Sequence, residues 1–274
     1  MESNGILSYL RPDRTGAKFY KLISDVLYSI AHNKKLYIDR KPKIEIPLLQ
    51  PLFNRAEMFT GQNVSMELPG IIASSYRLVQ DIKLDLVTYS KQNLNLNVKE
   101  PSQIDFETGQ IVIHVRNGDV VNEPMHDGFK CHEYCKQIVE DGLVWRRHHM
   151  IKTCGPDVQC PTSEPALDRV LSKICSKYPE KEVHLVSQDK DISLERYVNI
   201  TKKYNIKFFS SSFDIDFYHL VTADVLIGSR STYCIMALYH FTGKEFFYPY
   251  WSMYTCLGLG TIYDQTNYQP FKNI

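Results

Sequence analysis

Glu182-Val183-His184-Leu185-Val186-Ser187 has an apolar middle, and its flanks identify it as a buried strand of an α/β sheet. Before it, from Glu164 to Tyr178, Ala166, Leu167, Val170, Leu171 and Ile174 recur at helical spacing, and Pro179 stops the helix. After it come a helical stretch from Ser193 to Tyr204, a short strand from Ile206 to Phe209, and a helix through Ala223 that Asp214 or Asp216 can cap. Val225 to Gly228 reads as a buried strand, Ser231 caps a helix to Phe241, and Glu245 to Tyr248 supplies another strand. Strands joined by helical crossovers imply a parallel sheet of Rossmann-like kind.

Outward from this region the first half carries the same punctuation. Thr15 to Ala31 predicts a helix with Phe19, Leu22, Ile23, Val26, Leu27 and Ile30 on one face, and Leu36 to Ile38 a strand directly after it. Two more helices are expected near 54 to 59 and 71 to 90. Ile111 to Val115 is the strongest strand of this half, and it runs into Arg116-Asn117-Gly118-Asp119. The Gly, Pro and Ser content of residues 155 to 163 reads as a linker. The expectation is an α/β protein of two Rossmann-like lobes with a cleft between them, an N-terminal lobe over 1–158 and a C-terminal lobe over 159–250.

A chain of 274 residues, 43% hydrophobic and 23% charged, can bury a sizeable core and is not a disordered protein. Thirty-two Lys and Arg against 31 Asp and Glu leave a net charge of +1, so no whole-chain field points to nucleic acid. Glu2, Arg11, Asp13, Arg14, Lys18 and Lys21 interrupt any signal-peptide core, and no apolar run is long enough for a membrane span. Seven cysteines, mostly in apolar or helical patterns, fit a reduced, cytoplasmic protein. Asn63-Val64-Ser65 and Asn199-Ile200-Thr201 match the glycan-acceptor triplet, which without an export signal reads as chance.

Open α/β sheets bind ligands beyond the carboxyl ends of their strands, which singles out three segments: Arg116 to Asp119, Gln188-Asp189, and Ser229-Arg230-Ser231-Thr232. The third opens a helix, where free backbone N–H groups and Ser and Thr hydroxyls can donate to phosphate oxygens. Arg116, at another strand end, would close on the same phosphate from the facing lobe. Plainer roles stand beside these: Ser231 and Thr232 as a helix cap, Asp189 as the start of a turn, His114 as a hydrogen-bonded core histidine.

Three other chemistries are written in the chain. Asp189-Lys190-Asp191 and Asp214-Ile215-Asp216 are Asp-x-Asp triplets of the sort that hold manganese in metal-dependent transferases, although Asp214 and Asp216 also suit a helix start. His126, Cys131, His132, Cys135, His148, His149, Cys154 and Cys160 could build a zinc-stabilised binding module, but their spacings do not match paired zinc knuckles; a Cys154–Cys160 disulfide is disfavoured in a reduced compartment. Trp145-Arg146-Arg147-His148-His149 could stack on and neutralise a nucleic acid, and reads better as a solvated face.

The string Ile111 to Asp119 (IVIHVRNGD) resembles the His-x-Arg-x-Gly-Asp motif of the fucosyltransferase-like superfamily of GT-B glycosyltransferases, which includes the α1,2-, α1,6- and protein O-fucosyltransferases. Asp13 to Ala17 resembles that superfamily's opening glycine-containing loop, and Asp216 to Thr232 its donor-binding tail segment. The chain's small size is similar to that of glycosyltransferases of algal viruses. The resemblance implies a metal-independent, inverting transferase with a nucleotide-sugar co-substrate, a carbohydrate acceptor and no further cofactor. It implies that Arg116 pairs with the donor pyrophosphate, that His114 lines the donor pocket, and that Asp189 sits near the ribose or base. Ser229, Ser231 and Thr232 would take phosphate oxygens, and Arg14, Thr15, Gly16 and Glu123 would lie on the acceptor side. Asp119 is the favoured base, with Asp13, Glu123 and Asp127 as the other carboxylates, and the tail, 251–274, would pack back on the first lobe. GDP-fucose is the donor the resemblance implies first, and Asn117, standing where some relatives carry a second arginine, leaves UDP-xylose or another UDP-sugar open as the next.

Overall fold

The computed structural model describes residues 5–8, 15–38, 54–58, 66–67, 86–94, 98, 100–116, 162, 164–188, 195–249 and 261–264. The chain forms two compact units, one of Met1–Ser102 with Ile235–His240 and Met253–Leu259, the other of Gln103–Cys234, Phe241–Ser252 and Gly260–Ile274. Both are α/β with parallel sheets.

The first unit contains β1 (Gly5–Ser8), α1 (Thr15–Ala31), β2 (Lys35–Ile38), β3 (Glu57–Met58), β4 (Met66–Glu67) and α2 (Leu86–Asn93). Its sheet has the order β3-β2-β1-β4, with Ile6 opposite Leu36. The predicted apolar face of α1 buries Leu22, Ile23, Val26 and Leu27, and the helix packs on β1 and β2. Asn33 ends it: φ is +49°, the Lys34 N–H donates to Ser29 O at 2.9 Å and the Asn33 N–H to Ile30 O at 3.3 Å, a left-handed cap that turns the chain straight into β2. The helix expected near 54 to 59 is corrected, because Asn54 and Arg55 form a turn and Glu57–Met58 pair in parallel with β2. Pairing to a neighbouring strand outweighs local propensity over so short a segment. Of the helix expected over 71 to 90, residues 86–90 fall in α2, and 71–85 lie outside the described residues.

The second unit runs β5 (Ile111–His114), α3 (Glu164–Lys177), β6 (Val183–Val186), α4 (Val198–Lys203), β7 (Lys207–Phe209), α5 (Phe213–Val221), β8 (Val225–Ile227), the first turn of α6 (Thr232–His240), β9 (Glu245–Pro249) and β10 (Thr261–Asp264). Its six strands are all parallel in the order β10-β9-β8-β5-β6-β7. The chain therefore lays β5, β6 and β7 outward in one direction and then returns to place β8 on the other side of β5. Between β5 and β8 the strand order reverses, and that is where open sheets of this kind bind ligands. On one face Ile111, Ile113, Val183, Leu185, Val225 and Ile227 pack with Leu167, Val170, Leu171 and Ile174 of α3 and Ile200 of α4. By alternation Val112, His184 and Leu226 lie on the other face, where α5 packs against β5.

Ion pairs tie the amino-terminal end of this sheet. Lys181 Nζ donates to Gly109 O at 2.6 Å and lies 2.6 Å from Asp224, which Lys244 meets at 2.9 Å. Gly109 has φ +78°, a left-handed conformation that suits glycine where the chain turns into β5.

β5 precedes the stretch at 155–163 read as a linker, yet stands at the centre of the second sheet; of that stretch only Thr162 is described. In the tail, Thr261–Asp264 are the sixth strand, beside β9, and the rest of 251–274 lies outside the described residues. Among the described residues, no helix is long and apolar enough to cross a membrane.

Candidate functional site

Val115 and Arg116 leave the carboxyl end of β5, and Gly228 to Ser231 leave the carboxyl end of its neighbour β8, so both segments flank the reversal point. Arg116 and the Ser229–Thr232 segment, expected from facing lobes, thus emerge from adjacent strands of one sheet.

The loop after β8 is tight. The Ser231 N–H donates to Ser229 O at 2.8 Å, making a three-residue γ-turn with Arg230 at its apex. Gly228 is required there: a Cβ would stand 2.6 Å from Cys234 Sγ and 3.1 Å from the Phe246 ring. The Ser229 N–H points back to Cys234, whose thiol burial pushes up to about 12, so this cysteine is an inert packing group. The turn delivers the chain into α6 at Thr232, where the first-turn amides have no intrahelical acceptors and carry the positive end of the helix dipole. Ser231 and Thr232 are both buried.

His114 is the last residue of β5. Its Nδ1 lies 2.7 Å from Ser229 Oγ across the two strand ends, with both side chains buried. Burial and, secondarily, the Arg116 charge press its pKa down to about 3, so the ring is neutral near pH 7. Tyr233, in the first turn of α6, packs its ring 5.5 Å from that of His114 and donates its hydroxyl to Phe213 O at 2.8 Å. A cation, a neutral imidazole and a helix N-terminus meeting at one sheet edge make a surface suited to an anion with several oxygens.

The structure thus brings together His114, Ser229, Ser231 and Thr232, with Arg116 two residues beyond His114. The Ser231 N–H is used in the γ-turn, and the Ser229 hydroxyl meets the His114 imidazole. Thr15 and Gly16 open α1 in the first unit. Asp13, Arg14, Asp119, Glu123, Asp127 and Asp189 lie outside the described residues, as do Asn117 and the His126–Cys160 and Trp145–His149 clusters.

Sequence reasoning passed over Arg230 and Tyr233. Arg230 is only 7% exposed at the apex of the turn, and its charge opposes the burial that raises the Tyr197 phenol. It stands in the Ser-Arg-Ser-Thr string, but its burial follows from a turn that the string does not encode. Asp216, on α5, accepts the Ser211 N–H at 2.9 Å and has its pKa raised to about 6, mainly by burial. Asp214 and Asp216 both fall in the first turn of α5, where carboxylates favour the helix start, and burial raises the pKa of Asp214 as well. Among the described residues, no group of three or more His, Cys, Asp and Glu could hold a metal ion.

No family model matches the chain, and no curated protein matches it. Among solved structures, it is similar to POFUT1 in complex with GDP, at 12% identity and a TM-score of 0.41 over 92% of this chain and 99% of that one. It is also similar to the iron-containing dodecameric glycosyltransferase TibC from enterotoxigenic E. coli H10407, at 8% identity and a TM-score of 0.47 over 91% of this chain and 59% of that one. A third likeness is to NodZ α-1,6-fucosyltransferase soaked with GDP-fucose, at 12% identity and a TM-score of 0.39 over 88% and 93% of the two chains. These distant likenesses assign no function; the geometry at the reversal point has to carry that.

Proposed function

We propose that this chain is a glycosyltransferase that takes its sugar from a nucleoside diphosphate sugar and needs no metal to do so. One observation carries the reading: Arg116 and the first turn of α6 leave adjacent parallel strands at the point where the strand order reverses. In this reading Arg116 and the amides of the first α6 turn neutralise the diphosphate as it departs, the role a bound cation plays in other transferases. His114, held neutral, adds a hydrogen-bonding wall to the donor pocket without adding charge. Asp189 addresses the ribose or base, and the hydroxyl of Thr232 takes a phosphate oxygen.

Transfer inverts the anomeric centre: the acceptor hydroxyl of a carbohydrate, brought in by Arg14, Thr15, Gly16 and Glu123, attacks opposite the departing nucleotide. A carboxylate, Asp119 first and Asp13 second, removes its proton. GDP-fucose is the leading donor, with UDP-xylose or another UDP-sugar next, and the enzyme works in the cytoplasm.

A thermal-shift panel of GDP, UDP, CMP and dTDP in excess EDTA tests this, since only a nucleotide bound by the folded chain raises the melting temperature. At a hundredfold excess over its dissociation constant, one of them should raise Tm by about 5 °C or more. A flat response to all four, with or without manganese, refutes a nucleotide-sugar enzyme; a response only with manganese refutes metal independence.

A further inference from the structure

The Ser229 hydroxyl was expected on a phosphate oxygen, and the structure turns it to the imidazole of His114 at 2.7 Å. We infer that Ser229 is a positioning residue that fixes the tautomer of His114, donating its hydroxyl hydrogen to Nδ1 so that the ring carries its own hydrogen on Nε2. The proposal deepens the nucleotide-sugar reading and rests on it for its functional consequence.

A neutral imidazole has one donor and one acceptor nitrogen, and a serine hydroxyl can rotate to serve either, so distance alone leaves the polarity open. The surroundings decide it. Ser229 stands three residues before the start of α6, and Nδ1 is the nitrogen that faces it. In the positive field of the nearby start of α6 and of the Arg116 charge, a lone pair on the buried Nδ1 is stabilised, whereas an N–H there is opposed. Burial beside Arg116 keeps the ring from escaping this choice by taking a second proton. The Tyr233 ring, 5.5 Å away and tethered through its hydroxyl to Phe213 O, packs beside the imidazole and resists a flip that would put carbon opposite Ser229. The consequence is that Nε2 is a hydrogen-bond donor, the polarity an anionic phosphate oxygen requires, and remains one through the neutral pH range.

A bond that merely ties two strand ends together would be equally satisfied by either tautomer, so the tautomer is the readout. The full chain is labelled with ¹⁵N-histidine, and among its nine histidines the His114 signals are those lost in His114→Gln. Without ligand, between pH 6 and 8, the expected pattern is a pyridine-type Nδ1 and a pyrrole-type Nε2. Ser229→Ala should move both shifts toward the average of two exchanging tautomers and weaken GDP about tenfold, the scale of one lost hydrogen bond in a site of this kind. Ser229→Thr, which keeps the hydroxyl, should restore the wild-type pattern and most of the affinity.

A protonated Nδ1 in the wild type overturns the assignment, and that measurement needs no variant to fold. A Ser229→Ala pattern identical to wild type, or unchanged GDP affinity despite a shifted pattern, overturns the positioning role. Should GDP and the other nucleotides fail to bind the wild type, the enzymatic reading falls, while the ring pattern of the free protein still decides the tautomer.

Discussion

Lowering the pH from 7 to 5 should cost this protein about 3 kcal/mol of folding stability, and buried histidines set the size. His114 and His219 are buried neutral, each with its pKa pressed down to about 3, by burial first and by Arg116 and His184 respectively second. In the unfolded chain each titrates near 6.5, so below that pH the unfolded state binds a proton that the folded state refuses. Stability from these groups is complete above about pH 6.5 and is lost as acid is added, by about 1.4 kcal/mol per pH unit for each ring, or about 4 kcal/mol for the two at pH 5. Asp216 acts in the opposite sense: its folded pKa of about 6 exceeds the unfolded one, so the folded state takes up a proton first and regains about 1.4 kcal/mol by pH 5. His184, also lowered mainly by burial while Glu182 pulls the other way, adds to the loss.

Urea denaturation followed by far-ultraviolet circular dichroism at pH 7, 6, 5.5 and 5 measures the sum, and His219→Gln isolates one part. His219 Nε2 lies 2.9 Å from His184 Nδ1, and the ring stacks on Phe106 at 3.6 Å. Glutamine can keep a hydrogen bond to His184 but has no proton to gain. The variant is expected to be less stable at pH 7 and to lose about 2 kcal/mol less than wild type on going to pH 5. Parallel pH profiles for the two proteins would refute the reasoning.

Gly228→Ala should destabilise the second unit by about 2 kcal/mol, because the new methyl meets Cys234 Sγ and the Phe246 ring; adding Cys234→Ala should recover part of it in a denaturant titration, and strict additivity would refute the clash. Lys181→Met should cost about 2 kcal/mol, since this half-buried ammonium bonds Gly109 O and pairs with Asp224 at the base of the sheet. Lys203→Met, which removes a solvent-exposed pair with Asp168, should leave the urea midpoint within error. Equal effects of the two lysine substitutions would contradict the ranking by burial.

The parts of the fold legible in the sequence are those with a strong period. α1 falls over Thr15–Ala31 as its apolar face requires, α3 ends at Lys177 before Pro179, and β6, β8 and β9 lie within a residue or so of the apolar runs that announce them. β1 went unread because Gly5–Ser8 is too short for alternation to register, and its burial comes from lying between β2 and β4. The same limit turned residues 54–59 into an expected helix. Which sheet a strand joins is a tertiary matter: nothing in Ile111–His114 specifies β6 and β8 as partners, and composition marked 155–163 more strongly than the passage from Ser102 to Gln103.

At the site, strand ends followed by polar residues were legible, which is why His114, Arg116 and Ser229 to Thr232 were singled out together. The γ-turn at Arg230 leaves no mark in the local pattern, and the bond of the Ser229 hydroxyl joins it to His114, on another strand far away in the sequence. No local pattern carries that information.

Isothermal titration of a nucleoside diphosphate into the wild type and into Arg116→Ala, both in EDTA, tests the central claim most directly. Arg116 leaves the end of β5 half-buried, so the melting temperature of the free variant is measured beside its affinity to show that the fold is kept. The account predicts metal-free binding to the wild type and at least about a tenfold loss in the variant, the scale of a charge-assisted phosphate contact. Equal affinities for the two proteins would contradict it.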